Sequence, residues 1–204
     1  MANKVLLGLE NVHWFELTES IDSTTGAVTT TYGSANSWPG AVSIAMDPAG
    51  YSDPFYADNG IYFMSGDNVG YSGTFENALI PEALEEYALG QTVDDNDVMV
   101  ETSQGQKKAF ALTADLTGDE KARRIVFYKC FLTRPSVNAQ TRADSSAPQT
   151  NSVTLTAVPR ADYTSIKRGT ETVQEHLTKA ATTASTDDTT YAGWHTAPYT
   201  PVYT

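Results

Sequence analysis

The sequence predicts a mainly β chain (α+β) with one flanking helix. Thr, Ser, Asn and Gln dominate its polar residues and sit among β-branched and aromatic side chains, a mixture that suits pleated, half-buried surfaces. Several short segments alternate apolar and polar residues with period two. One segment, 81–89, combines helical spacing with helix start and stop signals. With 204 residues, 40% hydrophobic and 19% charged, the chain is long enough for one core-bearing domain plus an arm.

Taken in order, residues 4–18 read as a long strand with a kink at Gly8. DSTTG (22–26) is a turn cluster leading to a second strand, AVTTTY (27–32), so the two form a hairpin. Trp38, Pro39 and Gly40 punctuate. AVSIAMD (41–47) alternates, with Val42, Ile44 and Met46 opposite Ser43, Ala45 and Asp47. Residues 46–70 contain Pro54, Gly60, Gly66 and Gly70 and read as a long exposed β–β loop, unusual in holding Phe55, Tyr56, Tyr62 and Phe63. YSGTFENAL (71–79) alternates again, with Ser72, Thr74 and Glu76 on its polar side. In PEALEEYAL (81–89), Pro81 suits the first helical position, Glu82 the first turn, and Gly90 the C-terminal cap. DDND (94–97) is an acidic turn before a short strand at 98–101. AFALTADLT (109–117) sets Phe110, Leu112, Ala114 and Leu116 against Ala111, Thr113 and Asp115. RRIVFYKCFL (123–132) is apolar on both faces, as a strand covered on both sides must be. SVTLTAV (152–158) is a further strand. Residues 170–183 show weak helical spacing through Val173 and Leu177, and 163–204 read as a C-terminal arm with an aromatic tip that includes Trp194 and Tyr199.

Composition narrows the function classes. A net charge of −12 repels phosphate at close range and argues against nucleic-acid gripping. Cys130 is the only cysteine, which rules out an intramolecular disulfide and a CxxC metal site; its apolar neighbours suit a small buried hydrophobe. The first residues lack a basic stretch leading into an apolar run and are not read as a signal peptide; no run of about 18 apolar residues predicts a transmembrane helix. The expectation is folding in a cytoplasm without membrane insertion. His13, His176 and His195 have no metal-ligand spacing, and GxSxG, HExxH and GxxxxGK[ST] do not occur. DDND lacks the glycine and later Glu of a calcium loop. The sequence therefore predicts no catalytic, cofactor-binding or metal-binding residue and no cofactor.

One pattern remains. The polar sides of three alternating strands carry Ser43 and Asp47, then Ser72, Thr74 and Glu76, then Thr113 and Asp115, with no Lys or Arg. Such a surface suits either the solvated face of an ordinary sheet or, since such faces usually mix Lys with Glu, a wall past which a polyanion slides without sticking.

WPGAVSIAMDPAG, PFYADNGIYF, GYSGTFENALIPEAL, KKAFALTADLTGDEKARRIVFYKCFLTRPSV and TLTAVPRAD resemble the major tail protein of long, flexible-tailed phages, the phi13-type tail tube family. The similarity runs in order from about residue 4 to residue 162. It implies a tail tube domain over 1–162, of β-sandwich or barrel-like fold with the helix at its flank, followed by the 163–204 extension. It further implies self-assembly into hexameric rings that stack into a conduit for the genome, within a virion tail assembled in the host cytoplasm. The implied partners are further copies of the chain, a tape measure protein and a tail terminator, with double-stranded DNA passing without specific binding. On this resemblance Ser43, Asp47, Ser72, Thr74, Glu76, Thr113 and Asp115 face the lumen. Phe55, Tyr56, Tyr62, Phe63, Trp194 and Tyr199 make contacts between subunits or rings. Two other readings stay open. Exposed aromatics and Asn/Asp turns also suit a non-catalytic β-sandwich module that binds a receptor or carbohydrate, and abundant carboxylates leave room for a glycosidase.

Overall fold

The computed structural model describes residues 3–139, 141 and 149–203; residues 140 and 142–148 of the predicted first domain lie outside these, as do 1, 2 and 204. The strands are β1 (Leu6–Ile21), β2 (Val28–Ser37), β3 (Ala41–Ala49), β4 (Ser52–Ala57), β5 (Gly60–Gly66) and β6 (Gly70–Asn77). After helix α1 (Glu82–Leu89) come β7 (Thr92–Val93), β8 (Met99–Val100), β9 (Phe110–Gly118), β10 (Arg123–Leu132) and β11 (Asn151–Ala157). The chain ends with β12 (Thr164–Arg168), β13 (Glu171–Glu175), β14 (Lys179–Ala181) and a short helix α2 (Asp188–Ala192). The fold is mainly β, as predicted.

One antiparallel sheet dominates, in the order β2-β1-β9-β10-β11-β6-β3. β10 pairs with β9 along one edge, and with β14 and then β11 along the other. The predicted first hairpin is present. Its turn is held by the Asp22 carboxylate, which accepts from Thr24 N and Thr25 Oγ1 at 2.8 Å each. β1 bends twice, through register shifts between Leu6 and Gly8 and between Glu10 and His13, where Asn11 adopts φ 55°.

The sheet wraps a single main core, and β1 and β3 approach each other without pairing. Trp14, Phe75, Phe110, Leu112, Leu132 and Leu155 lie at its centre. α1 closes this side with Leu84, Ala88 and Leu89, and the Tyr87 hydroxyl both donates to Leu17 O and accepts from Leu17 N, each at 2.8 Å. Pro81 sits one position earlier than predicted, as the N-cap (ψ 134°). Gly90 takes φ 70° at the C-cap, and a Cβ there would lie 2.6 Å from Gln106 O, so the position needs glycine twice over.

The opposite side of the sheet differs along its width. Over β9 and β10 it is covered by the chain after residue 162, and Val126 and Tyr128 of β10 pack there against Trp194, Tyr32, Leu177 and Tyr199. β10 is thus buried on both faces, as its unbroken apolar run predicts. This corrects the predicted arm: β14 adds to the main sheet, and the 170–183 segment forms strands β13 and β14 where a helix was expected. Val173 faces Ile166 across the β12–β13 hairpin. The Arg160–Asp162 ion pair anchors the start of this segment. It is buried beside Tyr32 and Tyr128, with Thr30 Oγ1 donating to Asp162 Oδ1 at 2.8 Å.

Candidate assembly surfaces

Over β11, β6 and β3 none of the described residues covers the same side of the sheet. Register places its residues in three rows: Ser43–Glu76–Ser152, Ala45–Thr74–Thr154 and Asp47–Ser72–Thr156. Direct cross-strand partners share a face, so these nine side chains form one surface, while Ile44, Phe75, Val153 and Leu155 turn into the core. Seven are neutral and short, two are carboxylates, and none is a cation. Hydroxyls hold Glu76 in place: Ser43 Oγ donates to Oε2 at 3.3 Å and Thr150 Oγ1 to Oε1. Ser43, Asp47, Ser72, Thr74 and Glu76 therefore come together as the sequence predicted. Ser152, Thr154 and Thr156 belong with them and were missed, although the alternation of SVTLTAV carries the signal. Among the described residues β3 ends the sheet, so the surface finishes there at an unpaired strand edge.

Thr113 and Asp115 are a correction. Pairing puts them on the expected side, opposite Val126 and Arg124, yet both are buried beneath the C-terminal segment. His195 bridges them, with Nδ1 2.8 Å from Thr113 Oγ1 and Nε2 2.7 Å from Asp115 Oδ1. The carboxylate can only accept, so Nε2–H donates to it; in the neutral ring Nδ1 accepts from the threonine hydroxyl. Asn11 Nδ2 donates to Asp115 Oδ2 at 3.2 Å, and Arg124 Nε lies 3.2 Å from Oδ1. Burial pushes the Asp115 carboxyl up. The hydrogen bond and charge of His195, the Asn11 amide and the Arg124 guanidinium together outweigh it and hold the group below the usual aspartate value. This Thr–His–Asp arrangement is no hydrolytic triad, because the threonine hydroxyl lies fully buried within the fold.

Trp194 and Tyr199 are the second correction. Trp194 is buried in its own chain, stacks on Tyr199 at 5.3 Å, and donates from Nε1 to Ile125 O at 3.2 Å. Tyr128 Oη donates to Tyr199 O at 2.6 Å, and Arg124 donates to Tyr191 O. These aromatics fasten the C-terminal segment to β10. The sequence shows two aromatics among prolines and glycine, but not the strand they land on.

The four aromatics of the predicted loop are exposed. Phe55, Tyr56, Tyr62 and Phe63 are 61%, 65%, 74% and 62% exposed, and Ile61 and Met64 beside them are also exposed. The loop itself is a β4–β5 hairpin, and it continues the β3–β6 ribbon beyond the main sheet. A tight turn at Asp58 (φ 49°) and Asn59 (φ 62°) closes it, the positive-φ pair that two-residue hairpin turns favour. At the junction a Cβ on Gly50 would meet Asp67 O at 2.1 Å, so the two strands pass too closely there for any side chain. Phe55 faces Phe63 and Pro54 faces Met64, so apolar groups occupy both sides of the ribbon.

No protein-family model and no curated protein matches the chain. Among solved structures, a chain of the cryo-EM sheath–tube complex of an extracellular contractile injection system (PVC), in its extended state, is similar at 14% identity. The match covers 85% of this chain and 82% of that one, with a TM-score of 0.22, and at that score it carries no argument.

Proposed function

We propose that the chain is a structural, non-catalytic tail tube subunit that assembles into stacked hexameric rings forming a conduit for genome ejection. The observation that carries this reading is the β3–β6 ribbon, which bears a cation-free polar face and then continues as an exposed aromatic hairpin. The face supplies the wall. Double-stranded DNA carries about one negative charge per 1.7 Å of axis, so a wall of hydroxyls with Asp47 and Glu76 repels it where a basic wall would hold it at many points. Screening over about 8 Å at physiological salt confines this repulsion to the layer next to the wall. The free edge of β3 is a surface on which neighbouring copies can continue the sheet, and ring closure would remove that edge. The hairpin supplies apolar contact area for further copies. The buried Thr113 hydroxyl supports the non-catalytic part of the reading. The sequence resemblance set out above agrees with it and adds the expected partners, a tape measure protein and a tail terminator, and the virion location.

Negative-stain microscopy of the concentrated protein tests the proposal: rings or tubes support it, and a persistent monomer contradicts it. A second reading, a carbohydrate-binding module, is favoured by one observation, the exposed Tyr62 and Phe63 beside the Asp58–Asn59 turn. It predicts a small oligomer whose hairpin tyrosine fluorescence changes on titration with sugars.

A further inference from the structure

We infer that the aromatic β4–β5 hairpin of one copy docks into a basic pocket beside the start of β1 on another copy, an inference that rests on the tube-subunit reading. The pocket has a volume of 360 Å³ and is lined by Lys4, Val5, Leu6, Lys121, Arg123 and Thr183, among others; no carboxylate is among its described lining residues, although Asp119 beside it accepts from Lys4 N at 2.8 Å. Pockets that take an aromatic or drug-sized group begin at about 300 Å³. Val5 and Leu6 are exposed there, and Leu7 next to them is 71% exposed. Lys121 already contacts Asp188 at 3.5 Å, but among the described residues neither Lys4 nor Arg123 enters an ion pair. The site therefore offers apolar surface rimmed by cations in a chain of net charge −12.

The hairpin is complementary in both respects. Residues 50–70 contain Asp53, Asp58 and Asp67 and no Lys or Arg, alongside the exposed aromatics. Large aromatics bury about 150–250 Å² each, so four of them with Ile61 and Met64 have roughly 500–700 Å² still to cover. A stable interface takes about 800 Å² per partner, so the hairpin supplies most of one side. No residue of 50–70 lines the pocket of its own chain, so a hairpin that fills it comes from a second copy. Donor and acceptor are different surfaces, so the contact is head-to-tail: each copy gives one hairpin and receives another, and the contact propagates into a ring or a stack.

The test uses two defective variants of the full chain. Tyr62→Ala with Phe63→Ala removes the donor; Lys4→Glu with Arg123→Glu, both exposed positions, removes the acceptor. Each alone should stay a folded monomer with a wild-type melting curve and need at least about tenfold more protein to assemble. Mixed one to one, they should associate at a concentration where neither does alone, because an intact donor then meets an intact acceptor, without growing into tubes of wild-type length. Adding Asp53→Lys and Asp58→Lys to the acceptor variant should restore growth. If the acceptor variant builds tubes like the wild type while the hairpin variant does not, this pocket is not the acceptor and the tube-subunit reading survives. A mixture that stays monomeric overturns the pairing as well. Failure of the wild-type chain to assemble overturns both.

Discussion

Trp194→Ala should destabilise the isolated monomer, because Trp194 is a fastening within the chain. The indole is 3% exposed, lies against Val126 and Tyr128, stacks on Tyr199 and donates to Ile125 O. A buried tryptophan removes roughly 200 Å² from water. At about 25 cal/mol per Å² this corresponds to ~5 kcal/mol as an upper bound. Alanine recovers a little of it, and the lost N–H···O bond adds about 1 kcal/mol. Large aromatic-to-alanine changes in cores cost about 3–5 kcal/mol, so ~4 kcal/mol is expected. For a chain of this size each kcal/mol lowers Tm by about 2–4 °C, giving a fall of roughly 8–16 °C. The assay is thermal unfolding by circular dichroism at a dilution where size-exclusion chromatography shows a monomer. A Tm within about 2 °C of wild type, together with lost assembly, would refute the reasoning and return Trp194 to the inter-subunit role read from the sequence.

Other outcomes follow from the same geometry. Tyr62→Ala with Phe63→Ala should leave the monomer Tm within about 1–2 °C, since both side chains are exposed, yet block tube growth at concentrations where the wild type assembles; tubes of normal length in negative stain at those concentrations would contradict this. Asp47→Lys with Glu76→Lys should permit assembly, because both lie on the bare face, but slow genome ejection from particles carrying the variant; ejection at the wild-type rate would remove these residues from the lumen. Asp115→Asn should cost about 2–3 kcal/mol at pH 7 by breaking a buried charge cluster. Asp115 has a folded pKa below its unfolded value, so its contribution is present above the unfolded pKa, near 3.9, and is lost as pH falls through the folded one. The stability gap between wild type and this variant should therefore narrow below about pH 4 in denaturant melts, and a gap constant from pH 7 to pH 3 would contradict the cluster's role.

The alternating strands were legible because one face of each is buried. β3, β6, β9 and β11 all appear in the sequence at close to their observed bounds, and β10 announces its double cover through an unbroken apolar run. The hairpin at 52–66 was hidden for the opposite reason. Both of its faces are apolar and neither is covered by its own chain, so no period-two contrast exists, and Pro54 and Gly60 read as breakers. Val173 and Leu177 are four apart, which fits a helix as well as it fits two strands separated by a turn; the pairing of Val173 with Ile166 and of β14 with β10 decides it. For Thr113 and Asp115 the alternation gave the correct side of the sheet. What it did not show was the cover, supplied by His195 from 80 residues further along the chain. Among the described residues no such segment lies over the face of β3, β6 and β11.

A cryo-EM reconstruction of the assembled protein tests the central claim most directly. The account places Ser43, Asp47, Thr74, Glu76 and Thr154 on the inner wall of a closed ring, with β3 of one copy continuing into the sheet of its neighbour. A ring with that face turned outward to solvent, or a chain that never leaves the monomer at high concentration, would contradict it.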